Sequence, residues 1–361
     1  MAKTGKKAKR KTSTGKKHLP RLIAWETTKR CNLACVHCRA SATQEAAPDE
    51  LTTREGRKLL KNLTTVGAPI VILTGGEPLL REDIFEIAAA GTELGLPMAL
   101  ATNGTLIDDN VAKQIIESGI QRCAISIDGV KSSTHDRLRG VKGSFNSTIK
   151  AASVLRAHGI DFQINTSVTR ENEPELPQMA GLFEALGASA WHVFMVVPVG
   201  RAVGIGDDLV GKTRYNEILH WLAQKARETQ MQIKPTCAPQ YHRIVKQKLT
   251  YGETQLDGRA MMTRGCLAGT GFAFISATGD VQPCGYFPVI AGNTREYTFG
   301  TIWRASALFL KLRDHEQYNG RCGVCEFFNI CGGCRARALA ATGDFMNEDP
   351  YCNYLPGTNI S

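Results

Sequence analysis

No apolar stretch in the 361 residues reaches the ~18–20 that a membrane-spanning helix requires, so nothing here is expected to cross a bilayer. Acid is missing from the first eighteen residues, MAKTGKKAKRKTSTGKKH, which hold eight Lys or Arg and also lack the apolar centre of a secretory signal. Most of the net charge of +10 therefore belongs to this tail, and the remainder carries only +2. A basic run interleaved with Gly, Ser and Thr reads as a solvated extension, residues 1–18, and not as a nucleic-acid domain. No nucleic-acid partner is expected. The chain has 12 cysteines but no secretory leader, and it is far longer than a disulfide-stapled mini-domain. Ten of them cluster at spacings typical of metal or cluster ligation, which implies a reducing, cytoplasmic setting.

From residue 22 to about 229, apolar runs alternate with loops and amphipathic stretches. Six runs read as buried strands, at residues 22–28, 69–74, 97–102, 122–127, 162–168 and 190–197. Helical patterns occupy residues 52–66, 83–94, 108–118, 145–158, 174–186 and 212–229. Strands with intervening helices of this length favour α/β architecture with a parallel sheet. Six such units suit a partial, TIM-like (β/α)6 barrel, with ligands gathered at the C-terminal strand ends. The unusual residues fall there, at 31–38, 75–78, 103–104 and 126–129. After about residue 235 the pattern changes to short Gly- and Cys-rich segments, so the expected division is a core at 19–234 and a second domain at 235–361.

The segment TTKRCNLACVHCRAS presents Cys31, Cys35 and Cys38 in one loop. Three thiolates so placed can each hold one iron of a 4Fe-4S cubane and leave a fourth iron open. Zinc with a fourth ligand such as His37 is the alternative for the loop taken alone. The next strand ends in Gly75-Gly76-Glu77-Pro78, 37 residues beyond Cys38. Together, C-x3-C-x2-C and GGEP resemble the radical S-adenosylmethionine (SAM) enzymes. That resemblance implies a cluster on the three cysteines that reductively cleaves SAM, with Gly75, Gly76, Glu77 and Pro78 gripping its amino group. It extends less specifically to Asn103, Ser126 and Asp128, at strand ends that contact ribose and methionyl carboxylate in the family, and to Arg139 as a carboxylate partner. Each is equally readable as a turn residue or helix cap. His37 is expected to pack beside the cluster, and Cys123, inside an apolar strand, is expected to be a buried structural thiol.

The C-terminal cysteines are Cys266, Cys284, Cys322, Cys325, Cys331, Cys334 and Cys352. Their order resembles the SPASM domain, an auxiliary iron–sulfur module, although the family's last gap is x3 where this chain has x2. The resemblance implies one or two auxiliary 4Fe-4S clusters. Cys266, Cys284 and Cys334 would serve the nearer one, and Cys322, Cys325, Cys331 and Cys352 the farther. The nearer set is one thiol short, because family members with two fully ligated clusters have a cysteine where this chain reads AMMTRG. Cys237 is the spare, either a ligand or an ordinary loop thiol. Structural zinc is the alternative for the farther set.

Known subgroups of this family act on ribosomal peptides, sulfatases or tetrapyrroles. At PRLIAWETTKRCNLACVHCRASA and DPYCNYLP the resemblance is to the heme b synthases. It implies that a porphyrin substrate, iron-coproporphyrin III, loses two propionate carboxyls as carbon dioxide to give vinyl groups, at the expense of two SAM. Didecarboxysiroheme deacetylase and peptide maturases are the alternatives. A ferredoxin- or flavodoxin-like donor is the implied electron partner. Arg243, Lys246, Arg264, Arg295 and Arg321 are expected as carboxylate-binding cations or plain surface charges.

Overall fold

The structure, a computed structural model, describes residues 18–250 and 264–357. All but the last residue of the basic tail lies outside them. The six expected strands are β1 (Leu22–Glu26), β2 (Ile70–Thr74), β3 (Met98–Ala101), β4 (Ile120–Ser126), β5 (Phe162–Val168) and β6 (Ala190–Met195), each parallel to the next. The helices α1 (Thr53–Leu63), α2 (Ile84–Glu93), α3 (Asp109–Glu117), α4 (Ser132–Arg139), α5 (Ser144–Ala157), α6 (Leu176–Leu186) and α7 (Lys212–Glu228) connect them. Capping chemistry fixes the first of these: Thr52 and Glu55 form a reciprocal capping box at its start. Helix α4, which carries Arg139, has no counterpart among the expected helical patterns because SSTHDRLR lacks an apolar stripe.

A seventh parallel strand, β7 (Gln232–Thr236), pairs with β6. Its sequence, QIKPT, hides it from pattern reading because Pro235 cannot donate to a ladder. The strand tolerates proline because it is the edge of the sheet. After α8 (Gln240–Thr250), β8 (Phe272–Ile275) lies parallel to β1, and the short β9 (Asp280–Gln282) and β10 (Gly292–Asn293) extend that side. The order is thus β10-β9-β8-β1-β2-β3-β4-β5-β6-β7. The boundary expected at 234/235 falls inside β7, and the C-terminal part continues the same sheet at its other edge. Helices α9 (Phe299–Ala305), α10 (Ala307–Arg313), α11 (Gly320–Val324) and α12 (Arg335–Thr342) complete that part. Among the described residues no helix is long and apolar enough to cross a membrane.

Strand periodicity separates two environments. In β5, Phe162, Ile164, Thr166 and Val168 are buried under the helices, while Gln163, Asn165 and Ser167 face the central cavity. In β1, Ile23 and Trp25 are likewise packed outward and Leu22 and Ala24 inward. The inward face is apolar on β1 to β3 (Leu22, Ala24, Ile70, Ile72, Ala99) and polar on β4 to β7 (Arg122, Gln163, Asn165, His192, Lys234).

One buried carboxylate ties the two halves of the chain. Asp349 is fully buried and accepts hydrogen bonds from the α8 side chain Gln240 Nε2 at 2.7 Å, from Cys334 N at 2.7 Å and from Tyr351 N at 3.0 Å. It also lies 3.5 Å from the guanidinium of Arg337, itself packed against the rings of Tyr215 and Tyr351. Removing one partner leaves the other charge buried and uncompensated, typically a loss of about 3–5 kcal/mol. Asp349→Ala is therefore expected to lower the unfolding free energy of the metal-free protein by about that amount in a urea titration.

Candidate active site

The cysteine loop leaves β1 and is held from three sides. Its ends are closed by Cys31 N donating to Thr43 O at 2.7 Å and Thr43 N to Lys29 O at 3.1 Å. Its middle lies along the end of α4, with Ala34 N donating to Arg139 O and Val36 N to Leu138 O, both at 3.0 Å. From the segment after β6, Arg201 donates through Nε to Cys35 O at 2.8 Å and through Nη1 to Ala42 O at 2.7 Å. Arg201 had no sequence signal, because its role depends on a contact across more than 150 residues of chain, which no local motif records.

The GGEP turn packs directly under this loop. Gly76 N donates to Thr28 O and Glu77 N to Arg30 O, each at 2.7 Å. A Cβ on Gly75 would meet Thr28 O at 2.5 Å, and one on Gly76 would meet Arg30 O at 2.3 Å. Backbone carbonyls cannot move aside as a flexible side chain does, so only glycine fits at both positions. Glu77 is fully buried and does not reach the cavity. It accepts from Thr102 Oγ1 and Asn103 N at 2.7 Å and from Leu79 N at 3.0 Å. Burial pushes its carboxyl up to about 6 against those three donors. Glu77 thus joins the ends of β2 and β3.

Among the expected SAM contacts, Gly75, Gly76, Asn103, Ser126 and Arg139 line the cavity, whereas Glu77, Pro78 and Asp128 do not. Asp128 is fully buried and lies 2.7 Å from Arg139 Nε, and its other partners are Ser167 N at 2.8 Å and His37 Nε2 at 3.4 Å. Burial opposes its charge, yet Arg139 and His37 hold its carboxyl below the usual range. The carboxylate partner of Arg139 is therefore Asp128 of the chain itself. Arg139 also approaches Cys35 Sγ at 3.9 Å. His37, within the loop, is buried against Asp128, and burial pulls it down to about 4, so it is neutral at pH 7. Burial likewise pushes Cys31 up to about 11 and raises Cys35. These thiols lose their protons only to a strong cationic partner such as iron.

The cavity encloses about 1920 Å³. That exceeds the roughly 300–1,000 Å³ of an ordinary small-molecule site. Cys31, Cys35 and Cys38 line it, as do Cys237, Cys266, Cys284 and Cys334. Cys322, Cys325, Cys331 and Cys352 do not line it. They lie near one another elsewhere, Cys322 and Cys352 opposing ionisation of Cys325 and Cys331. Arg335 stands between the two C-terminal groups, lining the cavity and donating to Cys322 Sγ at 3.5 Å. Cys123 is fully buried in β4, away from every other cysteine-rich segment. Among the cations read from the sequence, Arg264 alone lines the cavity; Arg295 is paired with Glu55 and Arg321 with Glu348.

The donor sets fit iron–sulfur clusters. Cys31, Cys35 and Cys38 pack together in one cluster, and Cys237, Cys284 and Cys334 in another, sulfur-only donor sets of the kind that hold such clusters. Arg201 Nη2 and Arg337 Nε are buried without a hydrogen-bond acceptor, and an anionic, sulfur-rich group suits such donors.

The radical SAM family matches residues 25–183, and the SPASM iron-sulfur cluster-binding domain matches residues 266–326. An AdoMet-dependent heme synthase of Methanosarcina barkeri is 48% identical over 342 residues, covering 94% of this chain and 97% of that protein. The chain belongs to the radical SAM superfamily. Another relative, the Fe-coproporphyrin III synthase of the same organism, is 28% identical over 94% of this chain and 89% of its own length. The radical SAM fold is shared with Streptococcus suis SuiB bound to S-adenosylmethionine, at a TM-score of 0.71 and 19% identity over 93% of this chain and 78% of that one. It is shared too with anSMEcpe bound to AdoMet and a peptide, at 0.69 and 20% over 92% and 94%. This radical SAM enzyme thus carries 4Fe-4S clusters and uses SAM.

Glu77 gives the site a direct test. In Glu77→Gln the amide NH2 must face either Asn103 N–H or the Thr102 and Leu79 donors. A buried donor is left unsatisfied in either orientation, at a cost of about 1–3 kcal/mol. Urea denaturation of the metal-free variant is expected to show that loss, together with weakened SAM binding in the reconstituted enzyme.

Proposed function

We propose that the enzyme converts iron-coproporphyrin III to heme, turning two propionates into vinyl groups with release of carbon dioxide and consumption of one SAM per vinyl. The observation that carries this reading is the end-to-end 48% identity with an AdoMet-dependent heme synthase. The cavity supports it. An iron porphyrin is a flat apolar ring edged with carboxylates, and the lumen is apolar on β1 to β3 and polar on β4 to β7, where Lys234 is a cation and Arg122 is paired with Asp161.

In this reading Cys31, Cys35 and Cys38 hold the SAM-binding cluster. When bound and reduced, that cluster with SAM supplies a 5′-deoxyadenosyl radical able to take a hydrogen atom from a propionate side chain. The chain's own part is positioning. Gly75 and Gly76 present bare backbone to the ligand, Asn103 and Ser126 face it from the next strands, and Glu77 fixes the turn from behind. Arg39, stacked on Phe274 with Glu26 3.6 Å away, and Arg264 line the cavity and are the arginines this reading assigns to substrate carboxylates. The apolar wall keeps water from the reacting carbon. Cys322, Cys325, Cys331 and Cys352 would hold a farther cluster and Cys266, Cys284 and Cys334 a nearer one, and such clusters would supply an acceptor for the electron each decarboxylation leaves behind. A ferredoxin- or flavodoxin-like protein supplies the reducing electrons.

Anaerobic incubation of reconstituted enzyme with SAM, a reductant and iron-coproporphyrin III is expected to give, by mass spectrometry, a product lighter by two carbon dioxides and four hydrogens. It should be reached through a mono-vinyl species, with one deoxyadenosine per vinyl. Unchanged porphyrin beside accumulating deoxyadenosine, or loss of acetate groups from a siroheme derivative, overturns the substrate and leaves the radical chemistry standing. Joint replacement of Cys322 and Cys325 by Ala is expected to lower iron content by about four atoms per chain while reductive SAM cleavage survives. Stoichiometric zinc with no iron beyond the first cluster overturns the auxiliary assignment.

A further inference from the structure

Cys237 follows the last residue of β7 and precedes α8. Its φ is +57°, in the left-handed region, one of only three residues other than glycine with positive φ among those described. That conformation is unfavourable for a residue with a Cβ, and Gly or Asn adopts it more readily. Here it carries the thiol into the cavity wall. Cys237 packs with Cys284 around Cys334, Val197 and Phe287, its thiol beside that of Cys334. Cys266 adjoins Cys334 and Cys284.

Four cysteines from four separate segments therefore converge: one after β7, one before β8, one after β9 and one at the start of α12. Arg337, fully buried, lies beside Cys334 and Cys237 with its Nε lacking an acceptor. An anionic group held by these thiols would satisfy it. Cys123 offers the contrast, a buried thiol on β4 with no cysteine beside it.

We propose that Cys237 is the fourth thiolate of the nearer auxiliary cluster, a reading that rests on Cys266, Cys284 and Cys334 ligating that cluster. Each thiol gives up its proton on binding iron. Every iron of this cluster then has a protein ligand, so it relays electrons and does not grip the porphyrin. The open iron of the enzyme is the one on the Cys31, Cys35 and Cys38 cluster. The fourth ligand comes from the barrel's last strand, which locks β7 to the C-terminal part across the opening of the sheet.

The test compares anaerobically reconstituted full-length wild type with Cys237→Gly, Cys237→Ser, Cys266→Ala and Cys123→Ala. Iron and sulfide per chain are measured with the electron paramagnetic resonance spectra of reduced and oxidised samples. Cys237→Gly is expected to lose up to about four irons per chain, or to show a three-iron signal on oxidation. Cys237→Ser should keep iron with an altered spectrum, and Cys123→Ala should match wild type. Glycine accepts φ +57° without strain, so metal-free Cys237→Gly is expected to melt no lower than wild type, which separates lost ligation from a lost fold. Wild-type iron and spectra in both Cys237 variants overturn the proposal. If Cys266→Ala loses a cluster in the same series, the auxiliary site itself stands; if it loses nothing, the underlying assignment falls too.

Discussion

The contact on which the site depends is the close approach of two backbone turns. The base of the cysteine loop, Thr28 to Arg30, lies against Gly75-Gly76, and two hydrogen bonds of 2.7 Å hold them together. Parallel pairing of β1 with β2 brings the strand ends into line, Glu26 opposite Thr74. The absence of side chains on the two glycines then lets the turns touch. Glu77 extends the join to β3 through Thr102 and Asn103. The loop that presents three thiols thus rests at its base on neighbouring strand ends, with α4 and Arg201 holding its middle.

Buried charge is the second organising theme. Asp128 with Arg139 and His37 sits behind the first cysteine loop, and Asp349 with Arg337 sits behind Cys334. Each ion is removed from water, which costs several kcal/mol unless partners surround it. Such arrangements contribute little net stability, but they define geometry. A carboxylate held by an arginine and several N–H donors has one position, and the thiols attached to those donors share it. The guanidiniums also bring positive charge close to thiols that burial otherwise keeps protonated.

Much of this was legible in the residues. Cys31, Cys35 and Cys38 and the GGEP turn stand out because ligation and close backbone approach each demand particular residue types at short spacing. The six parallel strands show through hydrophobic runs and helix-length intervals. Strand β7 was hidden by Pro235, acceptable only because the strand is an edge, and helix α4 by its lack of an apolar face. The pairing of Asp128 with Arg139 changed the reading of Asp128, which was expected to face a ligand and proves wholly internal, whereas Arg139 lines the cavity.

By itself the sequence determined chemistry carried by short-range pattern: the cysteine loop, the glycine turn, the strand and helix periods, and the order of the C-terminal cysteines. Only the tertiary structure decided which distant residues share a space. It placed Cys266, Cys284, Cys334 and Cys237 on the same cavity as the first cysteine loop and left Cys322, Cys325, Cys331 and Cys352 outside it. It also made Arg201 a clamp on a loop far upstream and spent Arg295 and Arg321 on local carboxylates. The reason is physical. Local spacing fixes what one turn or strand can do, whereas the facing of side chains separated by a hundred residues depends on sheet order and register, which no single segment encodes.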